Sequence, residues 1–143
     1  MTGRVLSSLD DVEPVLRACR VVAVLGCHRE PAKPAHYVPA YLHERGRKIL
    51  PVNPVFVGSA LFGVDVRARL DELQEAVDVV VVFRRSAAVT THLEEVLAMR
   101  PLPPVVWLQS GITNADVCAR LRAAGIDTVE DRCMLADGRR LGL

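Results

Sequence analysis

Apolar runs alternate with helical patterns along most of the chain. Four runs predict strands, at residues 20–26, 48–52, 78–83 and 104–109. These runs lack the alternation of apolar and polar positions that a half-exposed strand shows, so we expect both faces to be buried, as in a parallel sheet. A fifth, short strand is predicted at 127–131.

Helical patterns fill the intervals between these strands, and the segments are 9–19, 35–45, 86–99 and 113–125. Proline is tolerated only near the first turn of a helix, so Pro14 favours Asp11 over Ser8 as the cap of the first helix. Thr113 and Asp116 have the spacing of a capping box at the start of the last helix.

Strands that alternate with helices of about a dozen residues predict an α/β fold with a doubly wound, mostly parallel sheet and helices on both faces. A short edge strand near Val64–Val66, paired beside the second strand, gives the strand order 3-2-1-4-5-6. The strand at 78–83 then lies directly beside the strand at 20–26. The chain reverses direction between these two strands, and ligands bind at such a switch point, beyond the carboxyl ends of the strands.

Size and composition fit a single domain spanning residues 1–143. Half of the residues are hydrophobic, yet no apolar run approaches the ~20 residues of a membrane span, and the start lacks the apolar core of a secretion signal. We therefore expect a cytoplasmic protein without a membrane partner. The net charge of +1 argues against a nucleic-acid binder that relies on bulk electrostatics.

Positive charge gathers in the two loops that the predicted strand order brings face to face. Arg29 and Lys33 follow the first strand, and Arg84 and Arg85 follow the strand at 78–83. Gly26 ends the first strand where the chain must turn, and the free N–H groups of the next helix point back toward the same place. This combination predicts a site for an anion.

The pattern that usually binds NAD is missing from this loop. A dinucleotide fingerprint has three glycines and an acidic residue about twenty positions later, whereas "GCHREP" has one glycine and the second strand ends at Asn53. An uncharged side chain beside several cations favours a ligand with an additional phosphate. NADP is one candidate, although the missing glycines count against it.

Five phrases make the sequence resemble a known family, and they are "VVAVLGCHREPAKPAHYVPAYLHERG", "ILPVNP", "VDVVVVFRRS", "VVWLQSGI" and "GIDTVEDRC". They follow the order found in the stand-alone CoA-binding proteins, whose domain is similar to the CoA-binding domain of the succinyl-CoA synthetase α subunit. The likeness covers about residues 15–135. It implies a Rossmann-like fold that binds coenzyme A.

The resemblance also assigns roles to individual positions. They are Gly26, Cys27 and His28 in the phosphate loop, Lys33 and Pro34 at the helix start under the pyrophosphate, Val52, Asn53 and Pro54 beside the adenosine, and Phe83, Arg84 and Arg85 along the opposite wall. Arg29 adds mobile charge. Many members have a small residue and then serine where this chain has Cys27 and His28, so a hydroxyl-to-phosphate bond is lost while backbone contacts survive.

The related ligases use a phosphorylatable histidine on another domain and an ATP-grasp domain, for which this chain has no room. No carboxylate pair or Ser-His-Asp order is visible either. The leading hypothesis is therefore non-catalytic binding of CoA or acyl-CoA, with no catalytic residue and no metal site. The alternatives are an NADP-dependent oxidoreductase and a ligand-responsive regulatory interaction module.

Four widely spaced cysteines and the end of the fourth predicted strand add two open questions. The cysteines include Cys27 and Cys133 and form no CxxC pair, so free thiols are expected. Cys27 either has a pKa lowered by the helix N-terminus or only fills space, and the second alternative is favoured; Cys133 is a candidate for the rim of the cleft. Gln109 and Gly111 either line the cleft or fix the loop backbone.

Overall fold

The computed structural model describes residues 2–143. Its strands are β1 (Val21–Leu25), β2 (Lys48–Val52), β3 (Ala60–Leu61), β4 (Val64–Asp65), β5 (Val79–Val82), β6 (Val105–Leu108) and β7 (Asp127–Val129). Its α-helices are α1 (Leu9–Ala18), α2 (Pro34–Glu44), α3 (Leu93–Leu97), α4 (Ala115–Ala123) and α5 (Met134–Arg140). Short 3-10 helices occupy Pro54–Phe56, Leu70–Glu72 and Ser86–His92. Within this range no helix is long and apolar enough to cross a membrane.

Five parallel strands form the central sheet in the order β2-β1-β5-β6-β7. β1 pairs with β2 on one side and with β5 on the other, with Val22 opposite both Ile49 and Val79. The chain therefore reverses direction in the sheet between β1 and β5, as predicted. The α/β, Rossmann-like fold with a mostly parallel sheet is confirmed.

The predicted position of the edge strand is wrong. Val64–Asp65 pairs antiparallel with Ala60–Leu61 in a separate two-stranded hairpin, and only Arg67 forms a single parallel bridge with Val52 of β2. A ladder continued from this bridge toward Asp65 would need the N–H of residue 51, which is a proline and has none. The order 3-2-1-4-5-6 therefore fails at its first strand.

Alternate residues of the buried strands pack into two cores, one on each face of the sheet. Ala23 and Leu25 of β1 belong to the core that α3 and α4 cover, whereas Val22 and Val24 belong to the core under α1, α2 and α5. All four side chains are at most 1% exposed. This division confirms that the apolar runs are strands buried on both faces.

Two helix starts differ from the prediction. The N-cap of α1 is Ser8, whose hydroxyl accepts the backbone N–H of Asp11 at 3.0 Å while the Asp11 carboxylate accepts the N–H of Ser8 at 3.2 Å. This reciprocal pair begins the helix earlier and leaves Pro14 inside it. At α4 the cap is Asn114, which accepts the N–H of Val117 at 3.1 Å.

The last helix, α5, has no counterpart among the predicted elements. Gly138 within it allows a close approach to α2, because a Cβ there would lie 2.7 Å from the Tyr41 hydroxyl oxygen. A segment of seven residues that contains a glycine is too short to show a clear helical pattern, so tertiary packing rather than propensity accounts for this helix.

Candidate ligand-binding cleft

An open cleft of about 670 Å³ lies at the carboxyl ends of β1, β5 and β6. It therefore occupies the predicted switch point. The residues that line it are Gly26, His28, Lys33, Pro34, Ala35, Tyr37, Val38, Phe83, Arg84, Arg85, Gln109, Ser110, Ile112 and Cys133.

Gly26 joins the two loops that meet at the cleft. Its φ of +85° is in the region that glycine tolerates, and a Cβ at this position would lie 2.4 Å from the carbonyl oxygen of Phe83. The Gly26 N–H donates to Val52 at 2.8 Å, and the Phe83 N–H donates to Leu25 at 2.9 Å. The loop after β1 and the loop after β5 are thus in direct backbone contact.

The loop after β1 folds onto the start of α2. The His28 N–H donates to the carbonyl of Ala35 at 3.1 Å, which holds the loop against the first turn of the helix. α2 begins at Pro34 without a side-chain cap. The N–H groups of Cys27 and Ala35 donate to no acceptor among residues 2–143. Free N–H groups at a helix start are donors that an anion can use.

Among residues 2–143, three cations line the cleft and no carboxylate does. Lys33, Arg84 and Arg85 are exposed, and none of them forms an ion pair with a carboxylate of the described chain. Because they come from both loops, positive charge flanks the cleft at the ends of β1 and β5, and such charge attracts anionic ligands.

A buried carboxylate fixes one of these cations through a histidine. Glu95 is 4% exposed, hydrogen-bonds Nδ1 of His92 and accepts the Leu70 N–H at 2.8 Å. Burial raises the pKa of Glu95, but these two hydrogen bonds together with the charges of His92 and Arg69 outweigh it and leave the pKa below its usual range. With Nδ1 engaged by the carboxylate, His92 presents Nε2, which accepts from Nε of Arg84 at 3.2 Å.

Seven of the twelve predicted site residues line the cleft, and they are Gly26, His28, Lys33, Pro34, Phe83, Arg84 and Arg85. The side chains of Cys27 and Val52 are instead fully buried. Arg29 lies over the ring of Phe56, with 5.2 Å from the guanidinium carbon to the ring centroid. Pro54 is exposed outside the cleft lining.

Asn53 supports the loop after β1 through its side-chain amide. Its Nδ2 donates to the carbonyl of Cys27 at 3.0 Å, and its Oδ1 accepts the N–H of Val55 at 3.0 Å. Both polar atoms of the side chain are therefore used inside the protein, where they fix the conformation of the loop.

The thiol of Cys27 is not activated. Burial raises its pKa to about 12, so the predicted alternative of a lowered pKa is wrong and the packing alternative is confirmed. Cys133 is half-buried and lines the cleft, as expected for a rim residue. All four cysteines are free thiols.

The sequence pattern did not single out Tyr37 and Val38 as lining residues, and it left the roles of Gln109 and Gly111 open. Tyr37 and Val38 lie on the same face of α2 as Pro34, because residues three and four positions apart share a face of a helix. The helical pattern of the segment therefore contained the signal that could have found them. Gln109 lines the cleft, which decides one open question, whereas Gly111 fixes the loop backbone by donating to the Asp131 carboxylate at 2.6 Å.

A parallel α/β sheet with a basic, carboxylate-free cleft at its switch point defines a Rossmann-like ligand-binding domain. Residues 20–139 match the family described as the CoA binding domain, so the chain belongs to that family. Membership in the family supports a general role in CoA binding.

Known proteins are similar to this chain in sequence or in fold. The chain is 32% identical over 124 residues to the uncharacterized protein YneT of Bacillus subtilis (strain 168), covering 87% of this chain and 89% of that protein. A Thermus thermophilus structure designated cell-free ID.343 is 46% identical, with a TM-score of 0.88 over 94% of this chain and 98% of that one. A hypothetical protein from Pyrococcus horikoshii OT3, 24% identical over 95% and 93% of the two chains, has a TM-score of 0.86 and shows the fold alone.

Proposed function

We propose that the protein binds CoA or acyl-CoA in this cleft and does not catalyse a reaction on it. The observation that carries the proposal is the convergence of cations from two loops on free backbone N–H groups, with no carboxylate of residues 2–143 in the lining. This arrangement occurs in a chain of the CoA binding family, at the place in the sheet where such ligands bind.

The phosphate groups of CoA require donors of the kind found here. Its pyrophosphate would lie over the turn at Gly26 and the N-terminus of α2, where Lys33 and the N–H of Ala35 are free to bind it. Arg84 and Arg85 would contact the ligand from the opposite wall. Neither arginine is paired with a carboxylate of the described chain, so each could bind a phosphate without first breaking an ion pair.

The adenosine would lie beside the end of β2. Val52 would contribute only backbone there, because its side chain is fully buried, while Pro54 offers an exposed apolar ring. Asn53 has no charge to repel a ribose phosphate, and its amide is already engaged. These features favour a ligand that carries a ribose phosphate over NAD.

Two histidines near the cleft take part in hydrogen bonds within the protein. Nδ1 of His28 accepts the backbone N–H of Glu30 at 3.0 Å, and Nε2 of His92 accepts from Arg84. Both nitrogens thus hold structural hydrogen bonds. In the described part of the chain no three His, Cys, Asp or Glu side chains gather as a metal site would require.

Calorimetric titration of the wild-type protein with CoA, dephospho-CoA and NADP tests the proposal. We expect CoA to bind most tightly and dephospho-CoA more weakly, because the loss of the 3′-phosphate removes a contact with a cation. Binding of NADP without heat from CoA would contradict the proposal. A change in nicotinamide absorbance with candidate substrates would then identify the oxidoreductase alternative.

A further inference from the structure

The cleft has one charged end and one uncharged end. Its cations come from the loops after β1 and β5, whereas Gln109, Ser110, Ile112 and Cys133 follow β6 and β7, and none of these four is a lysine, arginine, aspartate or glutamate. Neighbouring strands lie about 4.8 Å apart, so the edge from β1 to β7 spans about 14 Å. A ligand that extends along this edge would meet cations first and neutral groups afterwards.

Gln109 provides a buried polar group without a partner at the uncharged end. Its side chain is 3% exposed, and its Nε2 has no hydrogen-bond partner within residues 2–143. The backbone of Gln109 is held by hydrogen bonds to Val82 at 3.3 Å and from Ile112 at 2.9 Å. Buried amides without partners are rare and unfavourable, so this one points to a ligand atom that completes it.

The loops around Gln109 are held together before any ligand binds. The Gly111 N–H donates to the Asp131 carboxylate at 2.6 Å, and the Asp131 N–H donates to Ile112 at 3.1 Å. Arg132, next to Cys133, makes two hydrogen bonds to the carboxylate of Asp137, at 2.8 and 3.0 Å. Its charge is therefore paired, and the uncharged end stays neutral and preformed.

We propose that Gln109 binds an amide group of the pantetheine arm and so directs the sulfur end of the ligand toward Cys133. This inference rests on the proposed function. The pantetheine arm is uncharged, and each of its amides offers a carbonyl and an N–H, which complement a carboxamide in either orientation of its oxygen and nitrogen. Gln109 is thus the residue that distinguishes CoA from a nucleotide with the same phosphates.

The variant Gln109→Leu tests this inference by calorimetry with two probes. Acetyl-CoA has the pantetheine arm, and adenosine 3′-phosphate 5′-diphosphate has the phosphates without it. We expect the variant to bind acetyl-CoA about tenfold more weakly, because the ligand amide loses its partner. Its affinity for the nucleotide should equal that of the wild type. Gln74→Leu, at an exposed position outside the cleft, is the matched control.

Thermal unfolding of the ligand-free variant separates a binding role from a structural one. Leucine in place of an unpartnered buried amide should keep or raise the Tm. Gln109→Met, a second substitution at the same position, should give the same pattern of binding to the two probes. Unchanged acetyl-CoA affinity, or an equal loss for both probes, overturns the role of Gln109 while the proposed function stands. A wild-type protein that binds neither probe overturns both.

Discussion

Gly26, where the two cleft loops meet, has a positive φ and lies too close to the Phe83 carbonyl for any side chain. Gly26→Ala should lower the free energy of unfolding by about 2–3 kcal/mol, because the methyl group meets the Phe83 carbonyl and the φ of +85° is strained. It should also weaken CoA binding, since the two loops must separate. Urea unfolding and calorimetry measure the two effects.

Gly46→Ala is the matched control for this change. Its φ of +83° is almost the same, but no atom lies within 4 Å of the added methyl group, so only the backbone strain remains, at about 1 kcal/mol. Equal losses of stability in the two variants would show that the contact with Phe83 has no energetic importance.

Lys33 tests the electrostatic part of the site. It is exposed and lacks an ion-pair partner among the described residues, so Lys33→Glu should leave the Tm nearly unchanged. Binding of CoA should weaken by about tenfold to a hundredfold, and less at high salt, because a cation near the phosphates becomes an anion. Arg120→Glu on the exposed side of α4 makes the same charge change outside the cleft. An equal effect of both substitutions on CoA affinity would contradict the site assignment.

The cysteines differ in their predicted reactivity toward a thiol reagent such as Ellman's reagent. In the native protein Cys133 should react first, because Cys19, Cys27 and Cys118 are buried and burial raises the pKa of each of these three thiols. Cys133→Ser should remove the fast phase, and urea should expose the remaining thiols. A second native thiol reacting as fast as Cys133 would contradict the burial described here.

At the scale of elements, the buried strands were predictable because their apolar runs are short, mostly rich in β-branched residues and separated by segments of helix length. Helix ends were less predictable, since Ser8 and Asp11 compete for the same cap and only the folded chain selects between them. The segment at 86–99 forms a 3-10 helix followed by the short α3. The spacing of its apolar residues gave no sign of this division. The edge strand failed because Pro51 stops the ladder.

Central strand β5 provides a test of the fold. Val80 is fully buried in the core that α3 and α4 cover, and Val80→Asp would bury a carboxylate without a partner. The cost is on the order of 5 kcal/mol or more, comparable with the whole stability of a domain, so the variant should be unfolded by circular dichroism. Val55→Asp, at a side chain that is 76% exposed, should remain folded. A folded Val80→Asp variant would contradict the position of β5.

Glu95 links the Leu70 turn, α3 and the cleft, and its effect should depend on pH. Because its pKa is lowered in the folded protein, the folded state binds fewer protons than the unfolded state, and stability rises with pH. The contribution is complete at neutral pH and is lost as the pH falls below about 4.5, the ordinary value. Glu95→Gln should therefore be less stable than the wild type at pH 7. The difference in the free energy of unfolding between the two proteins should shrink as the pH falls.

Urea unfolding of Glu95→Gln at several pH values measures this dependence. Glu94→Gln is the control, because Glu94 is the exposed neighbour in the same helix. If both variants follow the wild-type curve, the hydrogen bonds of Glu95 do not contribute to stability.

For the whole molecule, the sequence predicted the class of fold and the meeting of two basic loops at the switch point. Chain order and charge contain that information, because the carboxyl ends of parallel strands share one edge of the sheet. Side-chain direction was less accessible: a strand end does not reveal that Val52 points into the core or that Asn53 is bound to the loop behind it. The lack of a hydrogen-bond partner for the Gln109 amide could not be predicted, because it depends on where all the surrounding polar atoms lie in the folded chain.

The central claim is that a phosphorylated cofactor lies along the carboxyl edge of the sheet, with its phosphates at the charged end of the cleft. A crystal structure of the protein with bound CoA tests this claim most directly. We predict the pyrophosphate against Gly26 and the start of α2, and the sulfur near Gln109 and Cys133. A ligand bound elsewhere, or bound with its phosphates beyond β6, would contradict the account.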